Sequence, residues 1–274
     1  MRKLLLTTAA LSALSVPAFA ADLGGAPESG SPLYSAAPMV SGDISAALGG
    51  SWFSGEGFSE SAGAFDTSAR FALPLTSGIS FEGELLDGGL FNDGSSFNTF
   101  LGLAHLYGQT QSYALGVFGG AGSLPGAGMW QAGIEGQAYL GNLTAEGTLG
   151  YTSIHEGDLT AWNARFGGKY YFTPNDKLSL FGNYFNADSD FGGGDLWGID
   201  GGYEHRFGAS PWSGFVKAAW YSEDGVDLTS ALVGVRVSLD APGSTLQSHD
   251  RAVPWQSQLG IFSGGVGGPV VMEP

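Results

Sequence analysis

The stretch Leu196–Phe207 reads LWGIDGGYEHRF, and it divides by parity. Trp197, Ile199, Gly201, Tyr203, His205 and Phe207 fall on one side, and Gly198, Asp200, Gly202, Glu204 and Arg206 on the other. Successive side chains of a strand point to opposite faces, so this is a strand with one apolar and one charged face. Trp162–Phe172 behaves the same way, setting Trp162, Ala164, Phe166, Tyr170 and Phe172 against Asn163, Arg165, Lys169 and Tyr171. In Leu143–Tyr151, Leu143, Ala145, Leu149 and Tyr151 oppose Thr144, Glu146 and Thr148.

Outward from these three, the rhythm extends from about Ile44 to Leu239, and no stretch holds a helical period. About twelve segments of roughly ten residues are countable, with ten or fourteen admitted. They start near Ile44, Phe65, Ile79, Phe97, Tyr113, Met129, Leu143, Thr160, Leu178, Leu196, Trp212 and Leu228. The pattern predicts an all-β chain, either sandwich or barrel.

Composition narrows the function classes. Of 274 residues 47 are Gly, a poor basis for helices because each interior Gly costs about 1 kcal/mol relative to Ala. The absence of Cys removes disulfide scaffolds and thiolate chemistry. A formal charge of −16 argues against nucleic acid as a partner. Residues 1–20 read as a signal peptide: Arg2 and Lys3, an apolar run from Leu4 to Val16, then Ala18-Phe19-Ala20 with cleavage expected after Ala20. Residues 21–41 form a Pro-, Gly- and Ser-rich leader, 42–239 the β region, and 240–274 a tail predicted to be a loose extension rather than a plug.

Two regularities favour a closed barrel. Connections after even segments are tight, as in Gly141-Asn142. Those after odd segments read as longer and acidic: 54–62, 87–96, 187–194 and 222–226. Membrane barrels sort their turns and loops this way. The aromatics also gather at two levels. Trp52, Trp130, Trp162, Trp197 and Trp220 stand at the loop end, and Tyr107, Tyr139, Phe172, Phe207 and Trp212 at the turn end. Paired girdles suit the two interfaces of a bilayer. Closure suits hydrocarbon, which offers no partner to a bare N–H or C=O. The fold expected is thus an up-and-down antiparallel transmembrane β-barrel.

The chain resembles bacterial outer-membrane β-barrels of the porin-like, alphaproteobacterial type. The resemblance rests on Ala104-His105-Leu106-Tyr107 with the Gly-rich strands after it, and on a terminal strand, Gly234-Val235-Arg236-Val237-Ser238-Leu239. Gly234, Val237 and Leu239 look like the signal read by the barrel-assembly machinery, although Leu239 stands where that family has an aromatic. The resemblance implies the outer membrane, its lipid and lipopolysaccharide as surroundings, and small polar solutes as cargo.

On this register the inward charges are Arg70, Glu82, Glu84, Glu135, Glu146, Arg165, Lys169, Asp200, Glu204, Arg206, Lys217 and Arg236. They predict either a wet pore whose charges tune passage or an interior ion-pair network. The carboxylates of segments 3, 6 and 7 would face the cations of segments 8 and 10 to 12 across a transverse field. His105 and His205 are expected to face outward at the turn end. Ser248-His249-Asp250 is a sequence neighbourhood, not a triad. Asn186, Asp188 and Asp190 begin like a calcium loop, but Phe191 and Trp197 take the places of its Gly and Glu. No catalysis, cofactor or metal is expected. A porin-like channel for passive diffusion is the first reading. A structural or adhesive barrel with a blocked lumen is the second, and a soluble secreted β-sandwich the third.

Overall fold

The computed structural model describes residues 40–92, 95–155, 159–189, 192–223, 225–240 and 243–256. The signal peptide and most of the leader fall outside them, as do 257–274 of the tail.

Twelve strands follow one another: β1 (Ser41–Gly55), β2 (Phe58–Thr76), β3 (Ile79–Asn92), β4 (Ser95–Gln109), β5 (Tyr113–Leu124), β6 (Ala127–Leu140), β7 (Leu143–Ile154), β8 (Leu159–Thr173), β9 (Asp176–Ser189), β10 (Gly192–Arg206), β11 (Trp212–Glu223) and β12 (Val226–Ser238). Each pairs antiparallel with the next, and β12 returns to β1 from Asp43↔Ser238 to Ser54↔Asp227. The sheet is therefore a closed up-and-down barrel without an edge strand.

Period-2 alternation gives the wall two solvents. Leu48, Phe71, Leu85, Leu106, Leu115, Ile134, Leu149, Phe166, Leu180, Ile199, Val216 and Val233, one from each strand, point outward and are exposed. A continuous apolar belt of this extent is foreign to water and suits hydrocarbon. Trp52, Trp130, Trp162, Trp197 and Trp220 stand outward toward one end, where Tyr151 packs between Trp130 and Trp162 at centroid distances of 5.6 and 5.2 Å. Phe172, Phe207 and Trp212 stand outward toward the other. Tyr107 and Tyr139 do not join them. Both face inward and are buried, which corrects their assignment to the girdle.

The long acidic loops are also corrected. β1 and β2 stay paired to Gly55↔Phe58 and turn on Glu56-Gly57 alone. Likewise β5 and β6 turn on Pro125-Gly126. Gly57 and Gly126 have φ of 83° and 80°, the left-handed conformation of tight hairpins. Segments 87–92, 187–189 and 222–223 likewise continue their strands. The Gly-, Ser- and acid-rich stretches thus form hairpin arms. Strands of 12 to 19 residues exceed the 9–11 or so that cross a bilayer, so the arms extend past the Trp level.

Glycine inside the wall admits close neighbours. A Cβ on Gly234, which points inward, would lie 2.5 Å from the Ala46 carbonyl oxygen and against the Phe215 ring. Val233, Val235 and Leu239 of the same terminal segment are exposed on the outer face.

Candidate functional site: the lumen and its plug

The inward positions divide the lumen by height. Toward the loop end two apolar clusters narrow it, beside the buried polar side chains of Thr99, Gln131, Thr152 and Asn163. Leu101, Leu103, Phe118, Met129 and Ile154 pack on one wall, and Phe185, Leu196, Tyr221 and Leu228 on another. Between them solvent still reaches a polar strip. The side chains of Asp66, Arg165, Asp200 and Lys217 keep 14, 11, 26 and 32% of their exposure. Arg165 bonds Asp200 at 2.9 Å and lies over the Phe181 ring, while Lys217 reaches Asp66 at 3.5 Å.

Toward the turn end the lumen is charged, and the tail fills it. After β12 the chain doubles back, and Thr245 opens a short helix α1 (Leu246–Ala252). A capping box joins Thr245 and Ser248, so the Ser248 hydroxyl is spent on the helix start. Seven residues give little helix stability alone. Docking supplies it: Leu246, Val253 and Trp255 are all buried to 1% or less. Trp255 lies edge-on to Tyr107 at 5.7 Å and stacks over His105 at 6.5 Å. The tail is therefore a plug through Gln256, not the loose extension expected.

The plug has no ladder, so its buried peptide groups need partners from the wall. Gln109 donates to the Arg251 carbonyl at 2.7 Å, Gln137 to that of Pro254 at 2.6 Å, and Arg70 to that of Trp255 at 2.6 Å. The Trp255 N–H donates to Glu82 Oε2 at 3.3 Å. Below them, Arg251 and Gln247 both donate to the Gly141 carbonyl in the β6–β7 turn.

Two ionic clusters hold the helix. Asp250 meets Lys177 Nζ at 2.7 Å, the Tyr171 hydroxyl at 2.8 Å and Arg236 at 3.5 Å. Burial pushes its carboxyl up, but Lys177 and Arg236 outweigh that, and it titrates below the usual carboxylate range. His249 sits between Asp43 at 2.8 Å and Asp240 at 2.5 Å. Burial lowers its pKa, the bonds to Asp240 and Asp43 raise it, and the net shift is upward from 6.5.

Each of the twelve charges singled out in the sequence lies on the inner face, and most are paired. Arg70 binds Asp43 at 2.5 Å. Glu146 binds Lys169 at 2.9 Å and Arg165 at 3.4 Å. Glu204 binds Lys177 at 2.8 Å and Arg236 at 3.1 Å. Arg206 donates to Ser244 and to the Ser210 carbonyl. Glu82, Glu84 and Glu135 gather round His105, which hydrogen-bonds Glu135 at 2.9 Å. The opposed walls do not face each other across an open field. Asp43, Lys177 and Asp250, none of them counted in the sequence, interleave the charges and close them into pairs.

His105 corrects a second expectation, for it faces inward and is buried. Its cross-strand partner is the inward Glu82, and directly opposed residues share a face, so the strand pairing carried the signal. His205 does face outward, bonded to Asp176 at 2.7 Å. Asp190 and Phe191 of the calcium-like segment lie outside the described residues, and Asn186 donates to Asp195 instead.

No protein-family model and no curated protein sequence matches the chain. Solved structures do. The NanC porin superposes with a TM-score of 0.52 at 9% identity, covering 71% of this chain and 100% of its own. An outer-membrane channel from Pseudomonas putida F1 gives 0.50 at 11% identity, covering 77% of this chain and 100% of its own. The barrel fold is one these channels share. At such identities the likeness is one of fold.

Proposed function

We propose that this protein is a porin-like channel of the bacterial outer membrane, held closed at its turn end by its own C-terminal segment. The N-terminal segment 1–20 would be cleaved on export, and the barrel would sit among outer-membrane lipid and lipopolysaccharide after insertion by the assembly machinery. Small hydrophilic solutes would pass by diffusion, without catalysis.

One observation carries the reading. The closure is a separable element. Among the described residues the plug contributes no strand to the barrel, and all twelve ladders close without it. Were the plug out, the wall would present Arg70, Lys169, Lys177, Arg206 and Arg236 to water at the turn end. The partly exposed strip at Asp66, Arg165, Asp200 and Lys217 would continue the wet route. The second reading, a structural barrel with a blocked lumen, draws on the apolar packing at the loop end.

Selectivity tests the channel reading. In planar bilayers, neutralising Arg165, Lys169 and Lys217 together is expected to move the reversal potential of the conducting state toward cations. An unchanged reversal potential would remove these residues from the conducting path.

A further inference from the structure

The wall around Asp250 is built for a carboxylate that the barrel itself does not supply. Lys177 and the Tyr171 hydroxyl meet one oxygen of Asp250, at 2.7 and 2.8 Å, and Arg236 approaches the other at 3.5 Å. All three partners belong to strands β8, β9 and β12, whereas Asp250 arrives with the plug. The charge count is short by one without it. Three wall cations, Lys177, Arg236 and Arg70, then share two wall carboxylates: Glu204, at 2.8 Å from Lys177 and 3.1 Å from Arg236, and Asp43, at 2.5 Å from Arg70 and 3.9 Å from Arg236. A cation left buried with no counter-charge is costly, so removal of Asp250 creates a demand for one negative group. A phenol hydroxyl, an ammonium and a guanidinium on two oxygens suit a carboxylate.

We infer that this is a carboxylate-binding subsite which Asp250 occupies as an internal ligand, and that a free carboxylate competes with it and releases the plug. The wall is the same whether the plug or a solute fills it, so the two exclude each other. Carboxylate binding and plug docking are then linked: a ligand that binds only the plug-out form raises that population by the factor 1 + [L]/Kd. The inference rests on the channel reading for the route by which a solute arrives, but the subsite itself is testable without conduction.

The chain has no Cys, so Val253→Cys in the full-length protein gives a single reporter, buried at 1% exposure in the docked plug. Its labelling by a water-soluble maleimide is followed in detergent at fixed pH against added acetate. Chloride and phosphate are added at equal ionic strength, and a separate Ala209→Cys protein reports the exposed β10–β11 turn. Acetate at ten times its Kd is expected to accelerate labelling about tenfold, with chloride and phosphate well below that and Ala209→Cys unchanged. Adding Asp250→Asn to the Val253→Cys protein is expected to raise labelling before any acetate and to shift the acetate response to lower concentration. Heat-modifiable gel mobility checks that each variant is folded. Should Asp250→Asn not fold, the acetate titration of the Val253→Cys protein alone decides. Acetate no more effective than chloride, or a folded Asp250→Asn protein labelling as slowly as its parent, overturns the subsite. An acetate response in a protein that never conducts keeps the subsite and removes the channel reading.

Discussion

A buried charge is tolerated only where the surroundings meet it, and the plug brings two into the lumen, His249 and Asp250. For His249 the partners set a pH dependence. Its protonated form bonds Asp43 of β1 and Asp240, with Arg70 and Arg236 facing the same Asp43. Its pKa is raised above 6.5 in the docked state. The docking it contributes is therefore complete below pH 6.5 and lost as pH rises through the raised value. Asp250 acts oppositely: its pKa lies below 3.8, so its contribution holds above that pH and fails only in stronger acid. Hydrogen exchange of peptide 243–256, corrected for its intrinsic pH dependence, is expected to quicken on the alkaline side. His249→Gln is expected to lose that step, and a step that survives in the variant would assign it elsewhere. His105 and Tyr107, two of the three side chains the sequence misplaced, share one physical cause. β4 carries large apolar groups on both faces, Leu101 and Leu103 inward and Phe100 and Leu106 outward, so polarity there does not tell the faces apart. His105 and Tyr107 are settled by partners, Glu82 across the strand and Trp255 from the plug, that lie far off in sequence.

At the scale of elements, the strands and the tight turns after even strands were legible, and the connections after odd strands were not. The starts of β3, β5, β7 and β11 coincide with the expected positions, because apolar-to-turn boundaries are sharp there. β2 begins seven residues before the expected Phe65. In its first arm, Phe58-Ser59-Glu60-Ser61-Ala62, Glu60 shares a face with Phe58 and Ala62 and the other face holds only Ser59 and Ser61, so alternation cannot announce it. The plug was hidden for a related reason. A seven-residue helix has too few positions to show a period, and Pro, Gly and Ser around it read as breakers. Its start depends on the Thr245 cap. Thr245→Ala is expected to weaken docking by about 1 kcal/mol, seen as faster exchange in 246–252 with the barrel strands unchanged. Equal exchange in both proteins would mean that docking, not the cap, sets the helix start.

For the whole molecule, the decisive arrangement is an apolar exterior around a charged interior. The same alternation that specifies the sheet assigns each residue its solvent, and this is why the fold class could be read from LWGIDGGYEHRF while the state of the lumen could not. Outer-face residues answer to one medium, whereas inner-face residues answer to whatever occupies the bore, including a segment more than 100 residues away, as with Gln109 and Arg251. The exterior predicts a depth-dependent cost. Ile134→Arg, in the middle of the belt, is expected to destabilise the barrel in lipid by about 2–4 kcal/mol, measured by denaturant titration in bilayers. A loss near zero would place β6 away from hydrocarbon. The central claim is that a complete barrel is closed by its own removable tail. Conductance of the full chain against a chain ending at Asp240 tests it most directly, both folded by heat-modifiable mobility and inserted in planar bilayers. The account predicts rare, brief openings for the full chain and a steady ohmic conductance for the shortened one. A shortened barrel that is folded yet silent, or a full chain that conducts equally, would contradict it.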